Sequence, residues 1–392
     1  MVFPERFSNL PEYAFPRLRT LLNGHAPGGD ELQLTIGEPR HAFPDFLGEE
    51  IAAHLQGFGN YPVNPGNDAL LGAISDWIGR RFNTDVQTNR IMALNGTREG
   101  LMGAAIGLCP EQKNGKTPAV LIPNPFYQCY MVGTLAGQAD PIYLSATEET
   151  GFLPDFDAVD AETLERTAIV FLCSPSNPQG AVASRDYWAN LLKLAEKHDF
   201  RVFSDECYSE IWRIEKPVSA LQIAEEIGVD PERVCIFHSL SKRSNLPGLR
   251  SGFVAGGVRT ITHLRQLREY SGAPLPAPLQ FAAAKVWADE AHVEASRQRY
   301  LTKHSIADSV FAGVDGCGAP EAGFFLWLPV EDGEMATVKL WEETGVKVLP
   351  GAYLAQDVNG VNPGTGYIRI AMVAEEEEMQ RGCEMIRDCL YK

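Results

Sequence analysis

Between about residues 70 and 260, short apolar runs alternate with longer stretches whose apolar residues recur at helical spacing. The short runs are Ile91–Leu94, Val120–Ile122, Ile142–Leu144, Ala168–Cys173, Val202–Ser204, Val234–Phe237 and Gly252–Ala255. Most are apolar at every position, as expected of strands covered on both faces. Strands alternating with helices predict an α/β layered domain around a mostly parallel, seven-stranded central sheet. The first 40 residues are Pro-rich with one short helical stretch around Arg17 to Leu22, and read as an arm. After Pro274-x-Pro276-x-Pro278 a long helical stretch runs through Arg299. Strand-like runs at Phe324–Leu328, Val346–Leu349 and Tyr367–Val373 then predict a smaller α+β domain. The expected division is an N-terminal arm over 1–40 that packs with the small domain, a large domain over 41–275 and a small domain over 276–392.

Composition narrows the classes of function. The 392 residues suit two domains, and 45% apolar with 22% charged residues is ordinary globular usage. The formal charge of −17 disfavours nucleic acid and anionic lipid as partners. The eight cysteines are scattered, several inside apolar runs, in the manner of reduced, buried thiols. No H-E-x-x-H or Cys/His cluster occurs, so no metal site is expected. Met1-Val-Phe-Pro-Glu-Arg has no basic stretch leading into an apolar one, and nowhere do about 20 apolar residues run together. A cytoplasmic protein without a membrane span is expected.

The chemistry collects where the strands end. Ligands of open α/β sheets bind beyond the carboxyl ends of the parallel strands. Here those ends lead into Asn95-Gly96-Thr97-Arg98, Pro123-Asn-Pro-Phe-Tyr127, Ser174-Pro-Ser-Asn177-Pro-Gln-Gly180, Asp205-Glu-Cys-Tyr208 and Ser239-Leu-Ser241-Lys242. Each cluster suits one part of a phosphorylated aromatic cofactor. Gly96 and Thr97, with Arg98 beside them, open a helix whose free N–H groups can face a phosphate. Ser239, Ser241 and Arg250 add hydroxyls and a guanidinium for the same dianion. Arg250 precedes its strand, so Gly252–Ala255 should run antiparallel to its neighbours. Tyr127 offers a face for stacking on a ring, Asn177 and Tyr208 can hydrogen-bond a phenolate oxygen, and Asp205 can pair with a pyridinium N–H. Lys242 is an amine able to condense with an aldehyde.

The spacing Asn177-Pro-x-Gly180, Asp205-x-x-Tyr208, Ser239-x-Ser241-Lys242 and Arg250-x-Gly252 resembles that of the fold-type I, class I/II aminotransferases. Tyr61, Gly66 and Arg369 also fall where that family has functional residues, so the resemblance spans nearly the whole chain. Phe126 departs from it, standing where many members have Gly. The resemblance implies pyridoxal 5′-phosphate carried on Lys242, with Asp205 and Tyr208 sharing in catalysis. It also implies that Arg369, Asn177 and the backbone of Gly37 hold the substrate carboxylate. A homodimer is implied too, with Tyr61 reaching the cofactor phosphate of the other subunit. Within the family, five stretches are most similar to the succinyldiaminopimelate aminotransferases: Ile36-Gly-Glu-Pro39, Asn124–Tyr130, Cys173–Pro178, Glu206–Ile211 and Ser239–Phe253. That implies glutamate as donor and N-succinyl-2-amino-6-oxopimelate as acceptor. Aspartate, aromatic and acetylornithine specificities stand as alternatives, as does a lyase on the same fold.

Blander readings exist for single residues. Gly96 could be a tight turn, Tyr127 and Tyr130 core aromatics, Asp205 a helix cap and Tyr61 a surface aromatic. Arg369 resists such a reading, because an unpaired charge in a buried strand costs on the order of several kcal/mol, and so it needs an anion, which either a substrate or a structural carboxylate would supply. Ser239-x-x-Lys242 also spells a penicillin-binding motif, but the S-D-N and K-T-G partners are missing. Gly115-Lys116-Thr117 lacks the leading Gly of a P-loop, since position 110 is Pro. A regulatory, non-enzymatic use of the fold sits poorly with the acidic charge.

Overall fold

The computed structural model describes residues 3–392. Its central sheet has seven strands: β1 (Ile91–Leu94), β2 (Ala119–Asn124), β3 (Asp140–Ser145), β4 (Thr167–Cys173), β5 (Arg201–Asp205), β6 (Val234–Ser239) and β7 (Gly252–Gly256). Their order across the sheet is β1-β7-β6-β5-β4-β2-β3. β7 runs antiparallel to both β1 and β6, as its preceding arginine implied, and the other pairings are parallel. Every residue of β1, β2, β4, β6 and β7 is buried, which accounts for their unbroken apolar runs. β3, at one edge of the sheet, is only half-buried, whereas β1 at the other edge is covered.

Two apolar layers enclose the sheet. On one side Trp77, Ile78, Trp188, Leu192, Ile223 and Trp287 pack against Val170, Val202 and Ile236. On the other, Leu101, Ala105, Tyr130, Met131 and Leu264 pack against Val120, Phe171 and Val254. Helix starts follow ordinary capping chemistry: Asn67 accepts from the Leu70 N–H, and Ser184 from the Tyr187 N–H.

The C-terminal region builds a second, three-stranded antiparallel sheet from β8 (Phe325–Pro329), β9 (Leu349–Pro350) and β10 (Tyr367–Ala371). The apolar run expected as one strand over Val346–Leu349 is split. Val346–Lys347 pairs in parallel with the arm residues Leu32–Gln33, whereas Leu349–Pro350 joins β10. One apolar run thus serves two sheets, a choice that depends on the arm's distant position. The long helical stretch after Pro278 likewise divides, into Ala277–Ala288 and Ala291–Val310. The first of these carries Ala282, Ala283, Val286 and Trp287 into the core of the central sheet, beyond the boundary expected at 275. The second lies against the last helix, Glu376–Leu390. The arm's helix begins earlier than expected, at Ala14–Leu21, and packs through Ala14, Leu18 and Leu22 on Trp327, Trp341 and Tyr353.

Candidate active site

The sheet register brings the loops together. Cys173 of β4 stands beside Asp205 of β5, Asp205 beside Phe237 of β6, and Ser239 of β6 beside Gly252 of β7. The loops that follow β4, β5 and β6 therefore leave the sheet at one level. Above them lies a cavity of about 440 Å³, closed from the far side by Phe325, Leu349 and Arg369 of the second sheet and by Tyr13–Phe15 of the arm. Gly37, Thr97, Arg98, Tyr127, Asn177, Asp205, Tyr208, Ser239, Ser241, Lys242, Arg250 and Arg369 all line it.

Three expected residues lie outside its wall: Gly66, a turn glycine with φ 110°, Gly96 and Tyr61. Gly96 sits one step behind, with φ 81° at the N-terminus of helix Thr97–Leu108. A Cβ there would run into the Arg250 guanidinium, so glycine is what lets Arg250 lie over the helix end. Tyr61 is fully exposed and does not line its own chain's cavity.

Asp205 forms the cavity floor. It is 6% exposed, its Oδ2 accepts from the Tyr130 hydroxyl at 2.8 Å, and its Oδ1 accepts from the Cys207 N–H at 3.3 Å. Burial raises its carboxyl above the ordinary range, and the Tyr130 hydrogen bond opposes that rise. Tyr130 is held flat on Phe171, 4.6 Å between ring centres. Lys242, on the short helix Leu240–Arg243 that follows β6, donates to the Gly37 carbonyl and lies 5.3 Å from the centre of the Phe324 ring. Burial pushes its amine down from 10.5 to about 8, with Cys207 working against the shift and Arg369 adding to it.

At the opposite wall, Arg369 of β10 donates to Asn177 Oδ1 at 3.1 Å and to the Thr35 carbonyl at 2.8 Å, and stacks over Phe325 at 4.3 Å. Among the described residues no carboxylate pairs with it, and its buried Nε has no partner there. Burial lowers this guanidinium to about 10. Tyr208 is buried edge-on to Phe324 and Phe325. Ser239 Oγ lies 2.8 Å from Ser241 Oγ and accepts from the Ser241 N–H at 3.0 Å. Arg250 donates to the carbonyls of Pro247 and Asn95 at 2.9 and 3.1 Å. Arg98 donates from Nε to the Tyr127 hydroxyl.

Several cavity residues carried no clear signal in the sequence. From the sequence alone, Tyr130 could equally be a core aromatic. Its place three residues after Tyr127, at the start of helix Gln128–Ala136, was the clue that both rings meet one space. Cys207, with its Sγ 3.3 Å from Thr97 Oγ1, and the arm residues Tyr13–Phe15 could be found only by folding the chain.

A parallel sheet that presents a buried lysine and a buried carboxylate to one cavity, under a second small sheet, defines a fold-type I enzyme that works with a pyridine aldehyde cofactor. The family profile for aminotransferase class I and II matches residues 29–386, and the chain belongs to that family. It is 31% identical over 401 residues to the LL-diaminopimelate aminotransferase of Desulforudis audaxviator, covering 98% of this chain and 97% of the relative. The enzyme of the same description from Moorella thermoacetica is 30% identical, with 99% and 98% covered. Among solved structures, an aminotransferase from Neisseria meningitidis superposes with a TM-score of 0.94 at 35% identity, covering 98% of this chain and 99% of that one. The aminotransferase AspB of Helicobacter pylori does so with 0.90 at 31% identity, covering 97% and 98%. The chain is a pyridoxal-phosphate-dependent aminotransferase, and enzymes of this class act on amino and keto acids.

The cavity's own chemistry fits that cofactor. It holds one amine brought close to neutrality, one carboxylate on the floor, hydroxyls and a guanidinium clustered at a helix N-terminus, and a buried guanidinium with an orphaned N–H.

Proposed function

We propose that this aminotransferase moves amino groups between glutamate/2-oxoglutarate and an amino acid built on the 2,6-diaminopimelate skeleton, as a step of lysine and diaminopimelate biosynthesis. The single observation that carries the catalytic half is the near-neutral Lys242 amine sharing one cavity with Asp205 and the anion-free Arg369. The substrate half is supported by relatives described as LL-diaminopimelate aminotransferases. The five stretches similar to succinyldiaminopimelate aminotransferases favour the N-succinylated form, whereas the relatives' descriptions favour the free LL form. Both forms present the same frame of α-amino group and α-carboxylate.

When bound, pyridoxal phosphate supplies an aldehyde carbon and an electron-withdrawing ring. Lys242 would hold it through its amine, Asp205 would face the ring nitrogen, and Asn177 and Tyr208 would face the phenolate oxygen. Thr97, Ser239, Ser241 and Arg250 would receive the phosphate, with Gly96 giving them room. Tyr127 supplies the stacking face. Arg369 takes the substrate α-carboxylate as a planar fork, oriented by its bond to Asn177. That grip would fix the α-carbon beside Lys242, whose neutral amine would take the α-proton and deliver it to the carbon that came from the cofactor's aldehyde. General-base work of this kind is worth about 10²–10⁴-fold in rate.

Lys242→Ala should abolish both the near-visible absorbance of the bound cofactor and glutamate-dependent turnover. Retained steady-state turnover would remove Lys242 from the mechanism. For the substrate, the wild-type enzyme should be offered free and N-succinylated LL-diaminopimelate, aspartate, phenylalanine and acetylornithine as donors to 2-oxoglutarate. One diaminopimelate form should exceed the others in kcat/KM by about tenfold or more. A preference for aspartate or phenylalanine would sink the substrate assignment and leave the family intact.

A further inference from the structure

Lys242 sits on helix Leu240–Arg243, a single turn. One turn is too short to fix its own direction, so its setting comes from tertiary contacts. The three residues that follow Lys242 supply them one after another, and all three are buried. Arg243 lies over the Trp77 and Trp287 rings, 5.6 and 5.0 Å from their centres. It donates to the carbonyls of Val286 and Asp289 at 3.0 and 3.1 Å and to the Glu290 carboxylate at 2.9 Å. Ser244 Oγ lies 2.8 Å from His292 Nε2, and the other ring nitrogen of His292 is held by the Asp289 carboxylate. Asn245 donates to Ser296 Oγ at 3.3 Å and to the Ala42 carbonyl at 3.2 Å.

These partners share one place. Helix Ala277–Ala288 belongs to the core of the central sheet, whereas helix Ala291–Val310 shares a core with the second sheet through Tyr300, Ala307 and Val310. The chain crosses from one core to the other at Asp289–Glu290. Capping the last carbonyls of helix Ala277–Ala288 would account for Arg243 alone. Ser244 and Asn245 reach past that helix to the first two turns of the next. We infer that Arg243, Ser244 and Asn245 are positioning residues that set the amine of Lys242 according to how the two cores stand against each other. Closing of the cavity and placement of the base then become one event. This rests on the role given to Lys242 and goes beyond it. None of the three lines the cavity, so they act only through Lys242.

The test uses the holoenzyme and Ser244→Ala, with Arg243→Lys as a second variant that keeps the charge and loses the fork. Arg369 and Asn177 still grip the substrate. KM for glutamate should therefore stay within about twofold while kcat falls by about 10–100-fold, as when a catalytic group is misplaced by about 1 Å. Hydrogen exchange reads the coupling directly, because the Ser244 and Leu246 N–H groups both donate to the Leu240 carbonyl. In wild type, saturating glutarate, an unreactive dicarboxylate, should slow exchange over 244–246 together with 289–297. In the variants it should still slow 289–297 and no longer slow 244–246. Should either variant lose the fold, Glu290→Gln, whose carboxylate is half exposed, breaks one link and carries the same expectations at smaller size. An unchanged kcat, a loss confined to KM, or equal protection of 244–246 in variant and wild type overturns the inference. So does a wild type in which glutarate leaves 244–246 unslowed. Failure here is separable from failure of the proposed function. If Lys242→Ala abolishes turnover while Ser244→Ala works as wild type does, Lys242 keeps its role and the coupling falls.

Discussion

Lys242 owes its chemistry to where it is buried. A lysine in water holds its proton well above neutrality, whereas here desolvation brings the amine to about 8. Below that pH the amine is protonated and cannot attack a carbonyl; above it the amine is free. Reconstitution of the cofactor-free enzyme with pyridoxal phosphate, followed by absorbance, should therefore quicken as pH rises and level off above about 8. Arg369 is one of the cations holding the amine down, so Arg369→Met should move that midpoint upward. A midpoint that stays put would mean that burial acts alone. Tyr130 tunes the opposite end of the site. Among the described residues its hydroxyl is the only side-chain oxygen donating to Asp205, and it opposes the rise that burial imposes. In Tyr130→Phe the carboxyl should rise further, moving the acid limb of the kcat/KM profile to higher pH. A profile that does not move would leave Tyr130 as packing alone. Lys242 and Asp205 were legible in the sequence because their motifs sit at strand ends. The role of Tyr130 was not, because an aromatic on an apolar helix looks the same whether its hydroxyl meets solvent, backbone or a buried acid.

At the scale of elements, two adjacent strand ends carry the site, and a buried network holds them together. Glu206 follows Asp205, and its backbone N–H donates to Phe237 of β6. Its carboxylate accepts from Ser204, Ser219 and the Ala220 N–H and pairs with His238 at 2.9 Å, at 1% and 3% side-chain exposure. Glu206 and His238 thus fasten the end of β5 to the end of β6, just where Asp205 and Lys242 leave them. Glu206→Ala would strand several buried donors at once. We expect a loss of about 3–5 kcal/mol in denaturant unfolding, and a loss below about 1 kcal/mol would contradict this account. The strand pattern itself was readable to within a residue or two for β1 to β7. Continuous apolar runs identify strands buried on both faces, whatever their partners. The run from Val346 was misread because hydrophobicity marks a strand without saying which sheet will take it. Leu32–Gln33 of the arm claimed half of it.

For the molecule as a whole, charge is unevenly placed. The chain carries −17 overall, yet the cavity wall has more cations than anions. Such a surface leaves the cavity as the local attractor for small anions. We propose that two copies complete the enzyme. Tyr61 is fully exposed, and Leu55, Phe58 and Val63, near it in the sequence, are apolar residues half exposed or slightly more. Sedimentation should give a dimer. Tyr61→Phe, which keeps the apolar surface and removes the hydroxyl, should weaken cofactor affinity without dissociating it; unaltered affinity would take Tyr61 out of the site. We also propose that the arm travels with the small domain, from helix Ala291–Val310 onward, when the cavity closes on substrate. The arm helix already packs on Trp327, Trp341 and Tyr353.

The chain's local order determined a great deal unaided: the strand–helix alternation, the antiparallel turn of β7, the loops that carry the chemistry and the lysine and carboxylate at their tips. These follow from short-range physics, since burial on both faces demands unbroken apolar runs and reactive groups need strand-end loops to reach a ligand. Folding decided the rest. It set the Tyr130 hydroxyl against Asp205, brought Arg369 across from the other sheet to Asn177 and laid the arm over the cavity. Each of those contacts joins residues far apart in the chain, and no local spacing encodes which distant group will supply a buried charge with its partner or withhold it.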